Sequence, residues 1–90
     1  MSDTKSFTGI SETIWNCIRA NSQADNRTRY EPADANEGKA ITTTAVGEVI
    51  LHFTFEPAQE TLTYSIQEKP FLVTEERIWE SIAQRIEQCS

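Results

Sequence analysis

The chain is 90 residues long, 38% hydrophobic and 24% charged, with 14 acidic residues against 8 basic ones and a formal net charge of −6. That length accommodates one domain, residues 1–90, with a modest core. The negative balance argues against nucleic acid or an anionic membrane as partner, because both repel such a surface. The first ten residues hold no apolar stretch of the export-signal type, and no apolar run approaches the ~18 residues of a membrane span. A cytoplasmic location is the expectation.

Residues 1–9 are polar and read as a frayed N-terminus. From Ser11 to about Asn21 the residues Ile10, Ile14, Cys17, Ile18 and Asn21 keep the 3–4 spacing of one helical face, widened by Trp15. Ser11 suits the N-cap, and Glu12 favours the positive end of the helix dipole. Residues 22–38 contain one aromatic, Tyr30, and no Val, Ile, Leu or Phe. Such a segment buries too little apolar surface to offset its ordering entropy. It is expected to be a polar mobile loop, with a short edge strand over Thr28–Glu31 as the alternative.

From Lys39 the hydrophobic period becomes two. Residues 39–46 are rich in β-branched side chains and end at Gly47, which suits a turn or a bulge. In residues 48–56, Val49, Leu51, Phe53 and Phe55 alternate with Ile50, His52, Thr54 and Glu56. Residues 57–60, opened by Pro57, make a hairpin connection. Leu62, Tyr64 and Ile66 then point inward from a strand over 61–68. Pro70 ends that strand, Phe71-Leu72-Val73 is an apolar connector, and Thr74 caps a second helix with Glu75 and Glu76 in its first turn. Ile78, Ile82 and Ile86, with Trp79, Ala83 and Cys89, form its apolar stripe. The pattern E-x-I-W-x-x-I occurs in both helices, at Glu12–Ile18 and Glu76–Ile82, as two helices packing on one sheet would require. The expected fold is α+β: a two-layer sandwich with a three-stranded antiparallel sheet between an N-terminal and a C-terminal amphipathic helix, in the order α-β-β-β-α.

No catalytic constellation is legible. GxSxG, Walker A and GxGxxG motifs are absent, and the single histidine, His52, falls on the polar sheet face. One histidine and two cysteines, Cys17 and Cys89, cannot assemble a tetrahedral zinc site. The expectation is therefore a protein that is not an enzyme and takes no metal or other cofactor, with both thiols reduced; a Cys17–Cys89 disulfide is the alternative, unusual in the cytoplasm.

Two binding readings follow. Residues 40–90 hold eight acids and three bases, and no Lys or Arg lies between Ala40 and Glu68. An acidic hairpin rim of Glu48, Glu56, Glu60 and Glu68, beside a hydroxyl-rich sheet face bearing Thr54, Thr63 and Ser65 together with Thr42 and Thr44, fits a basic protein partner or a second copy of the chain. The role would be that of a chaperone, inhibitor or immunity protein. The alternative is a small hydrophobic ligand held between helices and sheet, in a pocket of Trp15, Phe53, Phe55, Tyr64, Phe71 and Trp79.

Overall fold

The computed structural model describes residues 3–26, 28–31 and 35–90. It contains β1 (Thr4–Phe7), α1 (Glu12–Asn26), β2 (Arg29–Glu31), β3 (Glu37–Thr44), β4 (Gly47–Glu56), β5 (Thr61–Glu68) and α2 (Glu75–Cys89). The α+β class holds, but the sheet has five strands rather than three. It is antiparallel throughout, in the order β1-β5-β4-β3-β2.

The two additional strands are the edges. β1 lies in the arm expected to fray, and its burial pattern explains why no periodicity betrayed it: only Phe7 is even half-buried. Pairing with β5 holds it, reinforced by hydroxyl pairs between Thr4 and Ser65 and between Ser6 and Thr63, each at 2.9 Å. β2 lies in the segment expected to be a mobile loop and agrees instead with the alternative of a short edge strand over Thr28–Glu31; Tyr30 is its one buried side chain. α1 also extends five residues past the expected end at Asn21. The parts of both loop expectations that fall on residues 1–2, 27 and 32–34 lie outside the described residues.

The central hairpin follows the sequence pattern. β4 places Val49, Leu51, Phe53 and Phe55 on the inner face, β5 adds Leu62 and Tyr64, and all six are buried. Between them Pro57–Gln59 forms one 3-10 turn, closed by Glu60 in the left-handed region at φ 49°. The β3–β4 connection is tighter, with Ala45 and Val46 alone between the paired Thr44 and Gly47. Gly47 has φ +138°, and a Cβ there would stand 2.9 Å from Pro70 Cγ, so both the backbone and the neighbouring chain require glycine.

β1 and β2 run in the same direction at opposite edges of the sheet. A connection between parallel strands needs a crossover, and α1 supplies it. Four interstrand spacings of ~4.8 Å total about 19 Å, against about 22 Å for a 15-residue helix. Ser11 Oγ accepts from Ile14 N at 3.2 Å to start the helix. Trp15 and Ile18 face the sheet and are buried. The Trp15 ring lies 5.3 Å from Phe53, 5.6 Å from Phe55 and 6.0 Å from Tyr30, centroid to centroid. Its Nε1–H is buried with no partner among the described residues.

α2 starts at Thr74, whose hydroxyl accepts from Arg77 N at 3.2 Å. It buries Ile78 in the common core and rests Trp79, Ile82 and Ile86 against it. The expectation of reduced thiols is corrected: Cys17 of α1 and Cys89 of α2 form a disulfide with a Cα–Cα separation of 5.8 Å. Their sequence separation of 72 leaves the pairing undecided in the sequence, although each cysteine sits on the stripe its helix turns toward the core. Asn21, one turn beyond Cys17, donates to both sulfurs, at 3.5 and 3.4 Å.

Two stability predictions follow from this packing. Phe53→Ala should cost about 3–5 kcal/mol in urea unfolding, while Phe71→Ala, at a side chain 88% exposed, should lie within about 0.5 kcal/mol of the parent. Reduction of the disulfide should release two titratable thiols and lower the unfolding free energy by about 2–4 kcal/mol. Unchanged midpoints for Phe53→Ala or for the reduced protein would contradict the packing described.

Candidate functional site: a cleft between the second helix and the sheet

Antiparallel pairing sets Ala40 against Leu51 and Thr42 against Val49 on the inner face. The inner positions of β3 are therefore Gly38, Ala40, Thr42 and Thr44, all small. Where large side chains would have filled the space beneath α2, these leave a cleft of about 830 Å³. Val49, Leu51 and Tyr64 line it from the sheet.

Two rows of α2 line the opposite side. Ile78 and Ile82 form the apolar row, and Arg77, Ser81 and Arg85, four residues apart, form a polar row beside it. The first and last of these stand about 12 Å apart along the helix axis.

The two ends of the cleft differ. At one end Ser22, Thr28, Tyr30 and Thr42 gather near Arg85. Thr28 N donates to Ser22 O at 3.1 Å, and the hydroxyls of Thr28 and Thr42 are 2.7 Å apart. Ser22 and Thr28 are buried despite being polar, and the Ser22 side chain hydrogen-bonds the Tyr30 phenol. The other end is lined by Val46 of the β3–β4 turn and Leu72 of the connector, which are 50% and 64% exposed. No Asp, Glu, His or Cys among the described residues lines the cleft.

Of the six residues expected to form a ligand pocket, the structure brings one, Tyr64, to this cleft. Trp15, Phe53 and Phe55 are packed on one another beneath α1, where they fill the core. Trp79 is half-buried on α2, and Phe71 projects from the connector. The lining residues missed from the sequence carried a readable signal in the polar i, i+4, i+8 row beside the isoleucines of α2. Thr42 was also readable once Ala40 was taken as inward-facing.

The residues expected to meet a protein partner are distributed differently. Thr54, Thr63 and Ser65 share the outer face, where Thr54 pairs with Thr63 and Ser65 with His52. Thr63 and Ser65 also hydrogen-bond to β1. Thr42 and Thr44, expected on that face, are not there: Thr42 faces the cleft, and Thr44 Oγ1 donates to Gly47 O at 2.6 Å in the turn. Glu48 and Glu56 stand at opposite ends of β4, about 26 Å apart. Glu60 accompanies Glu56 in the hairpin, and Glu68 lies toward the Glu48 end, paired with Ile50. The Glu48 carboxylate is 3.8 Å from Arg29 across β3, and His52 Nε2 is 3.4 Å from Glu37. No group of three or more His, Cys, Asp or Glu among the described residues could hold a metal ion. No helix among them is long and apolar enough to cross a membrane.

Both tyrosines of the cleft are held neutral by their surroundings. Burial raises the Tyr30 phenol above its usual 10.0, against opposing contributions from the Ser22 hydrogen bond and the charges of Arg19 and Arg85. Burial pushes Tyr64 well above the same value, and Tyr30 adds to the shift. Comparison with protein-family models, curated proteins and solved structures returns no match, so the cleft is read from its own residues.

A folded-state pKa above the unfolded value means that the native state keeps the proton longer. The stability contributed is complete below pH 10 and is lost as pH rises beyond it. Unfolding free energy should therefore fall above about pH 10, by up to ~1.4 kcal/mol per pH unit for each phenol. Tyr64→Phe should make that fall shallower in urea titrations, and an identical slope in the variant would show that Tyr64 is not buried as described.

Proposed function

We propose that the chain binds a small hydrophobic ligand in the cleft between α2 and the sheet, and performs no chemistry on it. The observation that carries this reading is the cleft itself. Its volume of about 830 Å³ lies within the ~300–1,000 Å³ typical of small-molecule sites, and it combines an apolar lining with a few convergent polar groups. Hydroxyl, phenol and guanidinium groups line it, and the usual general acids and bases, carboxylate and imidazole, are not among its described lining. This supports binding rather than catalysis.

An acidic protein-binding role has less support. Its four glutamates divide between the two ends of the sheet, and Glu48 is engaged with Arg29. The Cys17–Cys89 disulfide favours an oxidising compartment over the cytoplasm, where thiols are kept reduced.

The test uses N-phenyl-1-naphthylamine, an uncharged probe that fluoresces in apolar sites. Saturable binding of one probe per chain is expected. Ser81→Trp, which places an indole in the cleft from an exposed helix position, should weaken it at least about tenfold while leaving the unfolding free energy in urea within ~0.5 kcal/mol of the parent. Non-saturable binding, or binding indifferent to Ser81→Trp, would overturn the reading.

A further inference from the structure

We infer that the ligand is a single-chain anionic amphiphile of the medium-chain fatty carboxylate class, lying along the cleft with its head group at the Arg85 end and its tail toward Val46 and Leu72. The inference rests on the cleft being a ligand site, as proposed above, and adds charge, direction and shape to it.

Charge is the first support. The chain as a whole carries −6, yet the described lining holds two arginines and no acid. An anion entering the cleft leaves a repulsive outer surface for an attractive interior, whereas a cation meets the reverse. A guanidinium presents a fork of donors that matches a carboxylate in two parallel hydrogen bonds; at Arg85 one of these donors, Nη1, is shared with Gln88 Oε1 at 3.1 Å.

Direction comes from the polarity gradient. The hydroxyls of Ser22, Thr28, Tyr30 and Thr42 collect at the Arg85 end, paired among themselves, and make that end the polar one. Val46 and Leu72 expose apolar surface at the other end, where an alkyl chain would cover it. Arg77 also lines that end but is exposed, where water screens its charge, whereas Arg85 is half-buried. Length agrees: the lining residues of α2 from Arg77 to Arg85 span about 12 Å at 1.5 Å per residue, and the connector residues Leu72 and Val73 extend the bed further, room for an extended chain.

Competition against bound N-phenyl-1-naphthylamine tests the inference with three probes of equal chain length: dodecanoate, dodecanol and dodecylamine. Dodecanoate should displace the dye at a concentration at least about tenfold below dodecanol, with dodecylamine the weakest. Arg85→Gln should weaken dodecanoate far more than dodecanol and so remove most of the preference between them. Arg85→Lys, which keeps the charge but loses the fork, should retain part of the preference. Equal displacement by dodecanoate and dodecanol would leave the hydrophobic site standing and overturn the anionic assignment, as would a preference for the amine. Dye binding that none of the three displaces would remove the cleft reading, and the inference with it.

Discussion

Between two parallel strands at opposite edges of the sheet the chain has to traverse the full inner face, and the contact of Trp15 with Phe53 and Phe55 holds that traverse in place. An indole stacked at a tilt on two phenyl rings buries more apolar area than any aliphatic pair in so small a core. With α1 seated there, its second half is carried toward β2, bringing Ser22 against Thr28 and Tyr30. Its Cys17 faces the C-terminal end of α2, and the disulfide then sets how closely α2 lies beside it. Arg85, one turn before Cys89, is positioned by the same link. The polar end of the cleft thus descends from an aromatic contact on the other side of α1.

The parts of the fold legible in the sequence are those whose burial alternates. The β4–β5 hairpin and both helices could be read because Val49, Leu51, Phe53, Phe55, Leu62 and Tyr64, and the isoleucines of α1 and α2, repeat with the period of their element. β1 was not legible, and β2 could be placed only as an alternative, because an edge strand contributes few side chains to the core. Phe7 and Tyr30 are single apolar residues, which define no period, and the pairing that orders them is made by backbone groups common to every residue. With two cysteines the pairing could be named from the sequence but not chosen over free thiols, because it depends on how two distant helices lie side by side, which no local pattern encodes.

For the cleft, the aromatic residues were the wrong guide. Large side chains in a 90-residue chain are consumed in filling the core, as Trp15, Phe53 and Phe55 are. Space is left where side chains are small, and the run Gly38, Ala40, Thr42, Thr44 records it. Reading Thr42 as a solvent-facing residue assigned the wrong phase to β3, because threonine suits either face of a strand. Only its pairing with Val49 decides the matter.

The short edges of the sheet have a consequence of their own. An open β-strand edge invites pairing with a neighbouring molecule and, repeated, growth into fibres. Here β2 offers three residues, two of them the charged Arg29 and Glu31. β1 offers four and carries Lys5 on its inward side, with the ammonium 5.7 Å from the Phe7 ring. A strand added beyond β1 would continue the inner face past Lys5 and strip water from its charge. The polar sequence that made β1 invisible to periodicity thus also works against edge-to-edge pairing of a five-stranded open sheet.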